Sequence, residues 1–392
     1  MAVLRHLVPE LRLFHGEDSL QALESELARL GSTRAVVVCG ASVAHDGQVM
    51  ALLRESLGSR CAGVLPCVQA HSPLDAVQRA AAELQSLGAD AVVAVGGGSA
   101  VVTARGAGIL LAEGDDARKF CTRRDADGVL RSPRLLQPKL PQLVVPTTPT
   151  TATLKAGSAL LDPIDGSRLA LFDPKTRAKA VFVHPALLRT PPRTLVLSAG
   201  LNTLAMAFEG LMSRRGDPFS DGLLVHATRL IVRGLPMAAH HDSHGDDDRA
   251  RNDLMFASLL CGHGTDYTGA GVAIPLGHAI SARFQIDNGL ANAAVLPHVV
   301  RFNAVAAAAG VEQLSAAFGQ PAVGTAALEA VLDGMAQLFG RLNVPMRLRD
   351  LGVTQASLPE LAEVSMDDWF VRDNPRPVRS AADLLGVLTS AW

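Results

Sequence analysis

The stretch GLNTLAMAFEG, residues 200–210, opens like a helix and sets Asn202 and Met206 four residues apart. On a helix that spacing stacks two side chains on one face, one turn apart. An acid and a histidine there would form half of a metal site, but this chain carries an amide and a thioether. VGGGSAVVTARGAG, residues 95–108, puts glycines after an apolar run. Backbone N–H groups in such a turn can approach a pyrophosphate, and the helix that follows points its positive end at it. Gly97, Gly98 and Ser99 would make those contacts. The pattern is neither GxGxxG nor a P-loop, and an ordinary tight strand–helix turn is the competing reading.

Three further stretches carry polar chemistry. VPTTPTTATLKAG, residues 145–157, offers the hydroxyls of Thr147 and Thr148 to a nucleotide or its phosphates, with Lys155 as a nearby cation. HHDSHGDDDR, residues 240–249, has metal-ligand residue types, yet its irregular spacing suits a solvated connection between helices better than a fixed coordination sphere. Residues 261–298 are glycine-rich and hold three histidines, the single tyrosine Tyr267, Asp266, Arg283 and Asn288. Polar groups this dense inside an apolar helical region suggest a cleft lining. His263 and His298 default to structural roles, His298 capping or bracing a helix.

Alternating elements must position the first two of these groups. SLQALESELARLG has helical spacing and a glycine cap at Gly31. RAVVVCGA follows as a short buried strand, PLDAVQRAAAELQSLG as an amphipathic helix, DAVVAVGGGS and QLVVPTTPTT as strands running into loops. This alternation predicts a parallel, doubly wound sheet, in which ligands bind beyond the carboxyl ends of the strands. After about Pro185 long Ala/Leu-rich helical segments take over. A proline break at residues 187–192 then divides an α/β domain, 1–187, from an all-helical domain, 188–392.

The bulk numbers bound the function. At 392 residues two domains are the natural prior, and 48% hydrophobic residues fit a globular chain with much buried surface. A net charge of −2 gives no reason to expect nucleic acid or an anionic membrane as partner. Five scattered cysteines without a CxxC suit a reducing cytoplasm. The first residues lack an apolar signal core and no run of 18 apolar residues occurs, so a soluble cytoplasmic protein is expected.

Taken together, the GGGS loop, the PTT loop, GLNTLAMAFEG, GLANAAVLPH and the late NPRPV (residues 374–378) resemble the iron-containing alcohol dehydrogenase superfamily, in the family's order and across nearly the whole chain. Within it the likeness is greatest to maleylacetate reductases. The resemblance implies a Rossmann-like nucleotide-binding α/β domain followed by an all-α domain (the dehydroquinate synthase-like fold), with the active site between. It also implies a homodimer and a small-molecule substrate.

Members with metal use an Asp and three His, and those positions fall here on Asn202, Met206, Ile274 and Asn288. An amide oxygen is a weak neutral ligand, thioether sulfur suits copper(I) and Ile donates nothing, so no catalytic metal is expected. The cofactor implied is NADPH or NADH. Gly40 stands where NAD-preferring relatives often carry a carboxylate for the ribose hydroxyl, which permits a 2′-phosphate that Ser42 could contact. Val102 replaces an acid common after GGGS, and Ala152 and Thr153 stand in place of the usual Gly-Ser. His278 matches a family histidine implicated in proton relay and is the first choice of general acid. Tyr267, Lys155 and Arg283 support it as donors or as anchors for a substrate carboxylate. The leading expectation is a metal-independent NAD(P)H-dependent reductase of a ketone or oxoacid. A non-redox lyase, cyclase or isomerase on the same fold, and a non-catalytic binding protein, are the alternatives.

Overall fold

The structure, a computed structural model, describes residues 6–125, 130–164, 166–239 and 246–392. The chain divides into two compact units: Val8–Pro191, and Pro192–Trp392 joined by His6 and Leu7 from the start of the chain. The second unit thus begins a few residues beyond the expected boundary at 187/188 and recruits residues from the other end of the chain.

The first unit is built on a six-stranded parallel sheet. Its strands are β1 (Arg12–His15), β2 (Ala35–Cys39), β3 (Cys61–Leu65), β4 (Ala91–Gly96), β5 (Gln142–Pro146) and β8 (Ala178–Val183), in the order β1-β8-β5-β4-β2-β3. The central strands read as unbroken apolar runs and are buried along their whole length, as strands covered on both faces must be. Helices α1 (Ala22–Arg29), α2 (Gly47–Leu57), α3 (Leu74–Ser86) and α4 (Gly98–Glu113) belong to the same unit, and the leucines of α1 and α2 pack with alternate strand residues into one core. From β2 the chain moves one way to β3 and then returns to the other side for β4, β5 and β8. The strand order therefore reverses between β2 and β4, the crevice where doubly wound sheets take ligands.

The sequence reading named β2, β4 and β5 and missed the other strands, the buried β8 among them. β1 and β3 are short, and β1 is an edge strand with exposed residues, so neither makes a strong apolar run. The segment after the threonine loop, for which the sequence suggested no element, folds as an antiparallel hairpin of β6 (Gly157–Leu161) and β7 (Arg168–Phe172), which buries Leu160 and Leu171.

The second unit is helical. Its helices are α5 (Arg193–Met212), α6 (Pro218–Ala239), α7 (Asp246–Thr268), α8 (Ala273–Phe284), α9 (Asn288–Asn303), α10 (Ala308–Ala317), α11 (Gly324–Arg341), α12 (Leu358–Ser365) and α13 (Ala381–Ala391). Alpha5 is apolar and long enough to cross a membrane by composition, but its apolar window is 72% buried among the other helices, as expected of a core helix. One approach in this core is closer than any side chain allows: a Cβ on Gly289 would lie 1.9 Å from the Ser198 carbonyl oxygen, so only glycine lets the start of α9 touch α5. All five cysteines are thiols. Residues 240–245, the greater part of the histidine- and aspartate-rich stretch, lie outside the described residues.

Candidate active site

In the α/β unit the ends of β2 and β4 lie side by side, Cys39 paired with Val95, so Gly40 and the Gly96 turn are neighbours at the switch point. Gly96 takes φ +142°, outside the range most side chains tolerate, and releases the chain into α4. Gly97 occupies the N-cap of α4 and supplies no side-chain cap, which leaves the first N–H groups of a 16-residue helix for a bound anion. The end of β5 is tied to the same place, the Thr147 N–H donating to the Gly96 carbonyl over 3.0 Å. Thr148 and Thr150 then lean over the glycines. A Cβ on Gly97 would meet Thr148 Oγ1 at 2.6 Å, and one on Gly98 would meet Thr150 Oγ1 at 2.9 Å. Glycine here is a steric demand of the threonine loop, and the result is a shelf of backbone N–H groups beside hydroxyls. On the far side of the crevice Gly40 caps the short helix Ala41–His45, with Ser42 exposed on its first turn.

Two residues that sequence reading did not single out hold this shelf. Arg105, 1% exposed within α4, donates to the Gly157 carbonyl at 2.6 Å and to the Ala152 carbonyl at 2.9 Å, fastening the threonine segment and the hairpin to the helix. Ser72, buried at φ +50°, donates to the Ser99 carbonyl over 3.2 Å and accepts from the Thr103 hydroxyl over 3.0 Å. Lys155 sits half-buried at the end of the turn Thr151–Leu154, its N–H bonded to the Ala152 carbonyl.

The helical unit carries the titratable groups. His278 lies on α8 with Nδ1 3.0 Å from Asp368 Oδ2, both side chains mostly buried at 18% and 10% exposure. Asp368 is itself fixed, its Oδ1 accepting the Phe370 N–H over 3.0 Å. A carboxylate on Nδ1 favours the Nδ1–H tautomer and fixes the orientation of the ring. The start of α8 is clamped by Glu209 of α5, which accepts the Ala273 N–H at 2.5 Å. Burial pushes the Glu209 carboxyl up to about 7, against the lowering effect of backbone N–H groups from Ala273, Gly271 and Ile274.

Three of the four positions that resemble ligand sites are otherwise engaged, and the fourth, Asn288 at the start of α9, holds a buried Oδ1 with no hydrogen-bond partner among the described residues. Met206 and Ile274 belong to the apolar core at 4% and 2% exposure. Asn202 Oδ1 accepts from the amide of Asn292, itself fully buried, over 2.8 Å, so an amide pair links α5 to α9. Among the described residues no three of His, Cys, Asp and Glu converge as a metal site.

The remaining candidates of the helical unit have these neighbours. Tyr267 packs at a tilt against His6, ring centroids 4.7 Å apart, beside the Arg215 guanidinium at 6.0 Å. His6 in turn pairs with Asp217 at 2.8 Å, so this cluster anchors the start of the chain. Arg283 is 60% exposed, 3.9 Å from Glu360 and stacked over Phe284. His298 lies inside α9, next to Pro297, and is not a cap. Burial, then the positive charges of Arg347 and Arg301, hold its imidazole below the usual range. The NPRP turn is structural in a definite way: Asn374 and Asn303, both buried, exchange amide hydrogen bonds of 2.9 and 2.7 Å.

Comparison with known proteins gives a consistent picture. Residues 9–185 match a family model described as iron-containing alcohol dehydrogenase, and residues 196–392 match its C-terminal counterpart. The chain is 25% identical over 386 residues to lactaldehyde reductase of Escherichia coli K12, covering 96% of this chain and 97% of that protein. It is 27% identical over 372 residues to maleylacetate reductase of Burkholderia cepacia, covering 95% and 93%. In fold it superposes on a crystal structure of 1,3-propanediol oxidoreductase with a TM-score of 0.87 at 23% identity, covering all of both chains. Maleylacetate reductase from Agrobacterium tumefaciens gives 0.79 at 22% identity, over 100% and 99%.

Proposed function

The chain belongs to the iron-containing alcohol dehydrogenase family, and from that premise we propose that it is an NAD(P)H-dependent reductase of a ketone or oxoacid that works without a metal. The observation that carries this reading is the glycine shelf at the β2/β4 switch point, where α4 opens onto uncapped N–H groups under two threonine hydroxyls. Those groups suit a dinucleotide's pyrophosphate. Gly40 puts no carboxylate against a 2′-phosphate, so NADPH is admitted alongside NADH, with Ser42 exposed within the next turn.

When bound, the reduced nicotinamide supplies a hydride to the carbonyl carbon. The developing alkoxide needs a proton, and His278 Nε2 delivers it, while Asp368 keeps the ring oriented and stabilises the imidazolium beforehand. The overall balance is carbonyl, NAD(P)H and a proton giving alcohol and NAD(P)+. No step passes through a metal, because an alkyl side chain, a core thioether and two amides do not make a site for iron or zinc. A soluble cytoplasmic homodimer with a small-molecule substrate completes the proposal.

Reduction of candidate oxoacids by NADPH or NADH, followed at 340 nm in metal-free buffer, tests the reading. Turnover supports it. Absence of turnover together with absence of any change in NAD(P)H fluorescence at saturating protein would favour a non-redox lyase, cyclase or isomerase on this fold.

A further inference from the structure

The helical unit holds a polar concavity. It is a groove of about 410 Å³ between the C-terminal part of α9 and the C-terminal helix α13, lined by His298, Arg301, Phe302, Arg376, Asp383 and Val387 among others. Arg376 is presented by the NPRP turn. Its carbonyl accepts from the Asn374 amide at 2.7 Å, and Asn374 is locked to Asn303 in the core. Its guanidinium lies 4.1 Å from the centre of the Phe302 ring. Backbone and side chain are thus both held, one Nη–H going to the Phe302 carbonyl over 3.5 Å, and the stacked guanidinium has further in-plane donors to offer a ligand.

Charge in the groove is uneven. Among the described residues neither Arg301 nor Arg376 has a carboxylate within ion-pair distance, whereas Asp383 is committed to the Arg379 N–H at 2.9 Å. The imidazole of His298 is held low by burial first, then by the positive charges of Arg347 and Arg301. An oriented guanidinium fork, a second guanidinium and an aromatic wall match an anionic head on an apolar body.

We propose that this groove binds a small organic anion, its carboxylate or phosphate held by Arg301 and Arg376 and its apolar part against Phe302 and Val387. The site is independent of the nicotinamide reading, since every residue in it belongs to α9, the NPRP turn or α13.

Isothermal titration of the full chain with phenyl phosphate, benzoate and inorganic phosphate tests it. Saturable binding of phenyl phosphate or benzoate is expected, and the stronger of the two identifies the head group. Arg301→Gln and Arg376→Gln should each weaken it about tenfold or more, the scale of one charge-assisted hydrogen bond. Arg229→Gln, on α6, and Gly97→Ala, at the phosphate shelf, should leave it unchanged. Among the described residues the Arg301 side chain makes no hydrogen bond or ion pair, so its variant stays informative if Arg376→Gln unfolds. The proposal is overturned by no saturable binding of either organic anion, by binding unaltered in both arginine variants, by loss in Gly97→Ala, or by inorganic phosphate binding as tightly as the organic anions.

Discussion

Substituting Gly97 by alanine is the most informative change to the shelf. The new methyl would stand 2.6 Å from Thr148 Oγ1, where an ordinary contact needs at least about 3.4 Å, so the hydroxyl must yield by roughly 0.8 Å. The φ of Gly97 is −85°, so alanine suffers no backbone strain and the whole effect is steric. Overpacking of this kind costs about 1–3 kcal/mol, which for a unit of this size lowers Tm by about 2–4 °C per kcal/mol. Cofactor binding should suffer more. The methyl also intrudes where a pyrophosphate would meet the start of α4, and loss of one or two charge-assisted hydrogen bonds raises Kd by about 10- to 100-fold or more. A double-mutant cycle separates the two effects. Removing the hydroxyl with Thr148→Ala should restore most of the lost Tm in the Gly97→Ala background, while NADPH Kd, read by fluorescence titration, stays raised. Wild-type Kd in a folded Gly97→Ala protein would refute the reasoning.

The other expectations concern groups whose neighbours are fixed. Glu209 is protonated in the fold up to a pH of about 7, well above its ordinary value, so between about pH 4.5 and 7 the folded state binds the extra proton. Stability therefore falls as pH rises through that window, by roughly 3 kcal/mol; urea unfolding at several pH values should show the slope, and Glu209→Gln should abolish it. His278→Ala should lower kcat by about 10²- to 10⁴-fold, and Asp368→Asn should lower kcat with a smaller change in KM, measured by steady-state kinetics with the best oxoacid found. Arg105→Met severs the carbonyl ties to the threonine segment and to the hairpin, and hydrogen exchange should quicken in residues 150–160 while β2 and β4 stay protected.

Much of the fold was legible because its signals are local. Apolar runs such as AVVVC and AVVAVG announce buried parallel strands, and Ala/Leu spacing announces the helices of the second unit. Short half-exposed strands gave no such signal, and the β6–β7 hairpin is stabilised by pairing across a turn that composition does not reveal. The glycine turn was visible because its glycines stand directly after a buried apolar strand. What positions the chemistry was not visible: His278 and Asp368 are 90 residues apart, as are Asn202 and Asn292, and Arg105 reaches 52 residues to Gly157. Glu209 left one faint clue, a single acid in an otherwise apolar helix. Tyr267 and Arg283 drew notice by residue type alone, and the structure gives them other neighbours.

The central claim is that the shelf takes a nicotinamide dinucleotide with no metal present. Titrating protein dialysed against EDTA into NADPH and following cofactor fluorescence tests it most directly. A saturable blue shift in the metal-free protein, unchanged when iron or zinc is added, is the result this account predicts. A signal that stays flat until metal is restored would contradict it.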